Sequence, residues 1–287
     1  MDFFLPRDTN TLQLGTPNGV DEVLSQPGAD WLWAVTAICI TSFIGLLIFC
    51  FGAPESDRVF HYLFTCALLV GSVTHFAEAS GLGWISVAQA DQLGQGLSRQ
   101  IFYTKYINWA VAFPSCSLAL GLLSGVSWTT IMTNLFISWF WVLTYLAAAC
   151  TTTDYKLGFF AFGTFAWLIL ALSTLNESRE SAGRLGIVRD YMILAGWINL
   201  VWLIYPVAFG LSDGGNRIGI TGSFIIFGVL DVLLLPLSAF AFVVLGRKWN
   251  YQKLNLAFSE PRNGSTGSLS LDKEEQPASI GVAETSV

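Results

Sequence analysis

Apolar residues gather into long runs along the chain, separated by short polar connectors. A membrane-spanning helix needs roughly 20 mostly apolar residues. Seven runs qualify, at about 31–53, 59–82, 100–124, 127–149, 157–175, 190–211 and 218–246. Short connectors make consecutive helices antiparallel neighbours. The pattern therefore predicts an all-α membrane protein, a bundle of seven transmembrane helices.

The charge distribution also indicates a membrane protein. Only 12% of the residues are charged, about half of the fraction usual in soluble domains, and the mean hydropathy is +0.58. Between residues 31 and 246 the charges lie almost wholly in connectors, which favours the lipid bilayer and not nucleic acid as a partner. We expect a tail over 1–29, a seven-helix domain over 30–247 and a disordered tail over 248–287.

The basic residues of the connectors predict the orientation, because cytosolic connectors are enriched in Lys and Arg. If the amino terminus is outside, the cytosolic side holds Arg58, Arg179, Arg184, Arg189, Arg247, Lys248 and Lys253. The outer side then holds Arg7, Arg99, Lys156 and Arg217. The larger basic set favours an outer amino terminus and a cytosolic carboxyl terminus.

Motifs for catalysis and metal binding are missing from the sequence. It has no nucleophile–His–acid set, no phosphate-binding loop and no metal-ligand spacing. The five cysteines lie in apolar stretches and are typical of small buried residues. We expect neither an enzyme nor a metal site.

A few ionisable side chains fall inside the predicted spans, where their cost in hydrocarbon makes each a functional candidate. They are Lys105 on the third span, His75 and Glu78 on the second, and Asp231 on the seventh. His75 and Glu78 are one helical turn apart. This spacing predicts either a proton-sensing pair or a neutral Glu78 bound to a nearby backbone or Ser group.

Three spans carry aromatic residues at helical spacing around Asp231. The third reads Lys105-Tyr106-Ile107-Asn108-Trp109 and then Phe113-Pro114, the sixth carries Trp202, Tyr205, Pro206 and Phe209, and the seventh reads Asp231…Leu235. Over residues 30–247 the chain resembles the microbial (type I) rhodopsins. Their patterns are Arg-Tyr-x-Asp-Trp with Thr-Pro, Trp-x-x-Tyr-Pro-x-x-Trp, and Asp-x-x-x-Lys. Fungal opsin-related proteins, including the heat-shock-type group, are similar and lack that lysine.

The resemblance implies a ligand cavity and two losses of function. The residues that it places around the cavity are Trp109, Trp141, Phe160, Trp202, Tyr205, Pro206, Phe209, Asp231 and Leu235. Leu235 stands where the family has the lysine that binds retinal, and leucine cannot form an imine. Asn108 stands where the family has its proton acceptor, and an amide does not titrate in this range. We expect no covalent cofactor and no light-driven pumping, although a non-covalent retinoid or another apolar ligand stays possible.

The remaining charges are expected to form a buried network of Lys105, Tyr106, Asn108, Asp231, His75 and Glu78. A lone charge in low dielectric is costly, so we expect Lys105 to pair with Asp231, directly or through water. Alternatively, Lys105 extends to the membrane surface, and Asp231 is held by Tyr205 and Tyr106.

Three functions follow from the resemblance and the residues. The first is a non-photochemical opsin-related protein of the plasma membrane, linked to stress or membrane homeostasis, acting as a regulator or chaperone-like partner of a protein such as a proton ATPase. The second is a binding protein or receptor for a retinoid or sterol. The third is a light-independent ion or proton channel. A homo-oligomer is compatible with all three.

Overall fold

The computed structural model describes residues 20–89, 98–252, 254 and 256, and this part of the chain contains seven helices long and apolar enough to cross a membrane. They are α1 (Gln26–Gly52), α2 (Val59–Ala79), α3 (Tyr103–Ser124), α4 (Trp128–Cys150), α5 (Lys156–Leu185), α6 (Val188–Leu211) and α7 (Ile220–Gly246). A short 3₁₀ helix, Glu55–Asp57, joins α1 to α2. The predicted seven-helix architecture is confirmed.

Local sequence signals account for several helix ends. Ser25 caps α1 by accepting a hydrogen bond from the Gly28 amide, and Pro27 lies in the first turn, where a missing N–H costs nothing. Ser127 caps α4 through the Thr130 amide. The α3 helix stops at Gly125, whose φ of 66° lies in the left-handed region that glycine adopts without strain.

Two helices are interrupted within the bundle. The α5 helix has a π-helical turn, Ser173–Glu177, between Lys156–Leu172 and Ser178–Leu185. The hydroxyl of Tyr191 on α6 donates to the Thr174 carbonyl of this turn at 2.6 Å. The α7 helix consists of Ile220–Leu234 and Pro236–Gly246, because Pro236 has no amide hydrogen to continue the helix.

The helices pack in chain order from α1 to α5, and α7 closes the bundle by packing against α1, α2 and α6. The α3 helix contacts α2, α4 and α6 and is the most buried of the seven spans. The outer surfaces carry exposed apolar side chains such as Phe136, Phe162 and Val207, as expected for helices that face lipid. The candidate functional residues therefore converge around α3.

A β-hairpin lies between α2 and α3. Strands β1 (Trp84–Ala88) and β2 (Ser98–Phe102) are antiparallel, with Trp84 opposite Phe102. Gly83 precedes β1 with a φ of 75°, and a Cβ there would lie 2.2 Å from the Thr104 side chain, so only glycine fits. Helix α3 begins at Tyr103, three residues after the predicted start at about 100. Residues 100–102 instead pair with β1, and the Gln100 amide donates to the Glu22 carbonyl.

The predicted tail boundaries also need correction. Helix α1 begins at Gln26, four residues before the predicted edge of the first tail at 30. Beyond α7, the side chains of Trp249, Tyr251, Leu254 and Leu256 are buried in the core. The ring centroids of Trp249 and Phe60 lie 5.8 Å apart. These apolar groups cover the end of the bundle. Residues 1–19 of the first predicted tail and residues 253, 255 and 257–287 of the second lie outside the described residues.

Candidate functional site: two buried charge clusters beside an aromatic core

Asp231 on α7 is the centre of the first cluster of buried polar groups. Its Oδ1 accepts hydrogen bonds from the Tyr205 hydroxyl at 2.6 Å and from Trp109 Nε1 at 3.1 Å. Helical spacing places Tyr205 of α6 and Trp109 of α3 toward α7, and all three residues are at most 4% exposed. The expected Asp231–Tyr205 contact is present, whereas Tyr106 bonds elsewhere.

His75 of α2 completes the shell around Asp231. Its Nε2 lies 3.2 Å from Asp231 Oδ2, and its Nδ1 lies 2.7 Å from the Gly71 carbonyl oxygen. A carbonyl only accepts, so Nδ1 carries a hydrogen. The second contact then needs one further proton, shared between Nε2 and Oδ2. Imidazolium with carboxylate and imidazole with carboxylic acid are both net neutral, so the pair needs no other counter-charge.

Glu78 lies one turn from His75 on α2 and is 2% exposed. It belongs to the same helix face as His75 but makes no ion pair among the described residues. The two expectations for this pair, a proton sensor or a neutral Glu78, both stay open.

The favoured Lys105–Asp231 pairing is wrong. Lys105 Nζ instead donates to Asp213 Oδ2, in the connector between α6 and α7. The Tyr106 hydroxyl donates to the same oxygen at 2.6 Å. The alternative of an outward-reaching lysine is also wrong, since Lys105 is 4% exposed. Lys105 lies at the start of α3, next to this connector. It is one helical turn before Trp109, the α3 residue that donates to Asp231.

Sequence reasoning missed Asp213. It lies in a Ser-Asp-Gly-Gly-Asn segment, whose composition is typical of a solvent-exposed turn. In the folded chain Asp213 is 3% exposed, because the connector folds back over the end of α3. The available signal was the demand of Lys105 for a nearby carboxylate.

Arg99 links this second cluster to the amino-terminal segment and the hairpin. Its guanidinium donates to Glu22 Oε2 at 2.7 Å, Asn216 Oδ1 at 2.9 Å and the Ile218 carbonyl at 2.8 Å. It also lies 3.4 Å from Asp213. Arg99 is 1% exposed. The basic residue predicted for an outer connector is therefore buried, and it joins the amino-terminal segment to the connector between α6 and α7.

The two carboxylates of this cluster titrate differently. Burial acts to raise the pKa of Asp213, but the charges of Lys105 and Arg99 and the hydrogen bonds from Lys105 and Tyr106 hold it below its ordinary value. Burial raises the pKa of Glu22, and Arg99 offsets this only in part. Asp213 is therefore held as an anion beside the two buried cations.

Asn108 of α3 lies beside Gly71 of α2 and near Leu235 of α7. It is 1% exposed, and neither atom of its amide has a hydrogen-bond partner among the described residues. A Cβ on Gly71 would lie 3.3 Å from Asn108 Oδ1 and 3.7 Å from Leu235 Cδ1, so glycine allows α2 and α3 to approach here. The expected network is thus divided into two clusters, and the Asn108 amide takes part in neither of them.

The aromatic residues of the predicted cavity pack against one another. The Phe113 ring lies 4.6 Å from Trp141, 4.9 Å from Tyr205 and 6.1 Å from Trp202, measured between centroids. Farther along, Phe209 stacks on Phe160 at 5.7 Å. Pro206, next to Tyr205 within α6, is buried with them. Sequence reasoning did not include Phe113 in the cavity, although it lies at the centre of these rings.

The α7 helix offers no amine to this core. The sequence has no lysine between Lys156 and Lys248, and Leu235 is 2% exposed within the helix interruption. A covalent imine with an aldehyde requires a primary amine. A covalently attached retinal therefore does not fit α7.

The seven-helix bundle with an aromatic core and a buried Asp on its last helix defines a rhodopsin-type membrane protein. The chain belongs to the bacteriorhodopsin-like protein family, whose profile matches residues 29–245. Opsin-like protein carO of Fusarium fujikuroi is 32% identical over 73% of this chain and 70% of its own. The 30 kDa heat shock protein of Saccharomyces cerevisiae is 28% identical over 88% of this chain and 82% of its own.

A solved structure agrees with these relatives. The light-driven proton pump LR (Mac) from Leptosphaeria maculans superposes with a TM-score of 0.74 at 25% identity, covering 82% of this chain and 99% of the pump. The predicted membership among fungal opsin-related proteins of the microbial rhodopsin superfamily is confirmed.

Proposed function

We propose that this protein is a light-independent opsin-related protein of the plasma membrane that acts in stress or membrane homeostasis. In this proposal it binds no covalent retinal and works as a regulator or chaperone-like partner of another membrane protein. The observation that carries the proposal is the absence of any lysine from α7.

The surroundings of Asp231 support the proposal. In a pumping relative the protonated imine supplies a positive charge beside the helix-seven aspartate. Here His75 Nε2 lies 3.2 Å from Asp231 and can supply that charge or share a proton. Because Asn108 stands at the family's proton-acceptor position, α3 offers no carboxylate there to receive a transferred proton.

The stress role rests on a relative and not on the site. One relative carries the name 30 kDa heat shock protein, and a common fold alone does not transfer an activity. We infer that the partner lies in the same membrane, a proton ATPase being the example implied by the resemblance. In-cell crosslinking before and after heat shock tests this: enrichment of an ATPase after shock supports the inference, and an unchanged crosslink pattern contradicts it.

Absorption spectroscopy with all-trans-retinal tests the light-independent proposal. We expect no red-shifted band and no retinal retained on the full-length protein after borohydride reduction, because α7 offers no amine. A band that borohydride fixes to the wild-type chain would overturn the proposal.

Two variants provide the matched control. Leu235→Lys places an amine on α7 near Asp231, and Phe113→Thr removes the ring that lies among Trp141, Trp202 and Tyr205. If the aromatic core is a filled retinal slot, the double variant gains a reducible band that Leu235→Lys alone forms weakly. The wild type treated in parallel is the reference, and we expect it to show no such band.

A second candidate function is non-covalent binding of an apolar ligand with one polar end. The unpaired Asn108 amide favours it, because a buried amide without a partner costs free energy that a ligand hydroxyl or carbonyl would recover. In the retinal experiment this function predicts bound retinal with induced circular dichroism that borohydride does not trap. Asn108→Leu should weaken that signal, whereas equal binding by both proteins contradicts this function.

A channel has less support. Lys105, Arg99, Asp213 and Glu22 fill one end of the bundle with paired charges. Recordings with and without Glu78→Gln test it, and a current abolished by this change would favour a channel.

A further inference from the structure

A cleft of about 510 Å³ opens where α1 ends and α2 begins. This is the end of the bundle opposite the Lys105–Asp213 cluster. The residues Ile48, Phe49 and Val243 form its apolar side, and Asp57, His61 and Arg247 form its polar side. It is separate from the Asp231 site, with which it shares no lining residue.

The apolar wall of the cleft adjoins the lipid-facing surface. Ile48 is 63% exposed and Phe49 is 43% exposed, and both lie in the last turns of the α1 span. The residues that follow α1, Ala53 to Asp57, form the connector, so the polar side of the cleft lies at the level of lipid headgroups. A molecule in the cleft therefore meets acyl-chain surroundings on one side and headgroup surroundings on the other.

The polar side carries opposite charges that do not pair with each other. Neither Arg247 nor Asp57 takes part in an ion pair of the described residues. The Arg247 guanidinium lies 5.8 Å from the centre of the Phe49 ring, and Asp57 accepts a hydrogen bond from the Ser56 hydroxyl at 2.7 Å. A cation and an anion thus face one cleft, each with capacity for a further partner.

His61 is a third polar group in the cleft. It is 6% exposed, and its Nδ1 has no hydrogen bond of normal geometry within the described part of the chain. The Asp57 backbone interacts with this ring, and a bound polar group would give Nδ1 a hydrogen bond of better geometry. The cleft therefore has an inward-facing polar position as well as charges at its mouth.

We propose that this cleft is a binding site for phosphatidylethanolamine, taken from the surrounding bilayer. Its phosphate would accept hydrogen bonds from Arg247 and His61, its primary ammonium would donate to Asp57, and an acyl chain would lie along Phe49 and Val243. A zwitterion satisfies both charges, whereas a purely anionic headgroup would leave Asp57 facing a phosphate. Trimethylation of the amine, as in phosphatidylcholine, keeps the charge but removes every N–H donor.

Native mass spectrometry of the full-length, delipidated protein tests the proposal. Dioleoyl phosphatidylethanolamine, phosphatidylcholine and phosphatidylglycerol are each titrated into the detergent solution. We expect phosphatidylethanolamine to bind about tenfold more tightly than the other two, as for one charge-assisted hydrogen bond. Equal binding of the three lipids would overturn the proposal.

Variants assign the contacts. Arg247→Gln should weaken phosphatidylethanolamine binding, Arg247→Lys should largely preserve it, and Asp57→Asn should abolish the preference over phosphatidylglycerol. Arg189→Gln is the matched control, because Arg189 is exposed at the same end of the bundle and lies outside the cleft. Unfolding temperatures verify that each variant is folded. If Arg247→Gln and Arg189→Gln bind alike, or folded Asp57→Asn keeps the preference, the proposed contacts are wrong.

Discussion

His75 and Asp231 connect α2 to α7 through one shared proton. The geometry satisfies both ring nitrogens of His75 and both oxygens of Asp231 within the protein. Buried polar groups that are all bonded stabilise one arrangement of the helices, whereas loss of one partner leaves the other uncompensated. The pair therefore has a structural role that does not depend on light.

A double-mutant cycle tests this coupling. We expect His75→Gln and Asp231→Asn each to lower the free energy of unfolding, and the double variant to lose less than the sum, by about 0.5–3 kcal/mol. Reversible unfolding in detergent, followed by circular dichroism, provides the measurement. Strictly additive losses would show that the two side chains do not interact.

Asp213 pairs with two buried cations, Lys105 and Arg99, at the start of α3. Breaking a buried pair by removing one partner costs about 3–5 kcal/mol, so we expect Asp213→Asn to lose free energy of unfolding of this size at neutral pH. Asp30→Asn is the control, because Asp30 is exposed and should change stability by less than about 0.5 kcal/mol. Equal stability of both variants would contradict the buried pairing.

The pH dependence of stability follows from the same group. The pKa of Asp213 is lower in the folded state, so its contribution is present above the unfolded pKa of about 4 and is lost as the pH falls through the folded value. The wild type should thus lose stability below about pH 4, and Asp213→Asn should lose less. Glu22 acts oppositely: its pKa is raised, so its contribution is lost as the pH rises. Parallel acid titrations of both proteins test the sign.

At the scale of elements, close helix contacts depend on residues without side chains. A Cβ on Gly163 of α5 would lie 2.5 Å from Thr144 Oγ1 and 2.6 Å from the Tyr145 ring on α4. Small residues allow membrane helices to approach closely. The glycine therefore sets the distance between α4 and α5, next to the ring of Tyr145 that stacks on Phe209 at 4.2 Å.

Alanine substitutions at two glycines test this packing. Gly163→Ala should lower the free energy of unfolding by about 1–3 kcal/mol, the usual cost of overpacking. Gly196→Ala is the matched control within α6, where nothing lies within 4 Å of the added methyl, and it should be neutral or stabilising because alanine favours helix. Similar effects at both sites would show that the α4–α5 contact is not tight.

The hydrophobic pattern predicted the spanning helices but not the β-hairpin. All seven spans were predictable, because each run has close to the roughly 20 residues that a bilayer requires, and the motif of the third span supports its more polar run. The hairpin at Trp84–Phe102 was not, since the apolar side chains Ile101 and Phe102 continue the hydrophobic run of α3. Only the pairing partner distinguishes a strand from a helix in so short a segment.

For the whole molecule, the distribution of basic residues determines the expected orientation. The end bearing the carboxyl terminus carries Arg58, Arg247 and Lys248, whereas Arg99 at the other end is neutralised by Glu22 and Asp213. A buried, paired arginine adds little free positive charge to its side of the membrane. The difference in free positive charge between the two ends, which favours a cytosolic carboxyl terminus, is therefore larger than the count of Lys and Arg residues indicates.

Protease protection tests this orientation. We expect a tag at the carboxyl terminus of the full chain to resist protease added to intact cells, and a tag at the amino terminus to be cleaved. Detergent permeabilisation controls for intrinsic resistance of the tag. Cleavage of the carboxyl-terminal tag in sealed cells would reverse the assignment.

The sequence by itself determined the number of spanning helices and the absence of an amine from the last one. Both are properties of single segments: the apolar length of a run and the chemistry of its side chains. Only the tertiary structure decided that Lys105 meets Asp213, that His75 meets Asp231 and that Phe113 lies within the aromatic core. These pairings depend on distances between helices and on how a polar connector folds back, and the periodicity of one helix contains neither. An ion pair in low dielectric forms between the groups that can approach within a few ångströms, and that approach is a property of the assembled bundle.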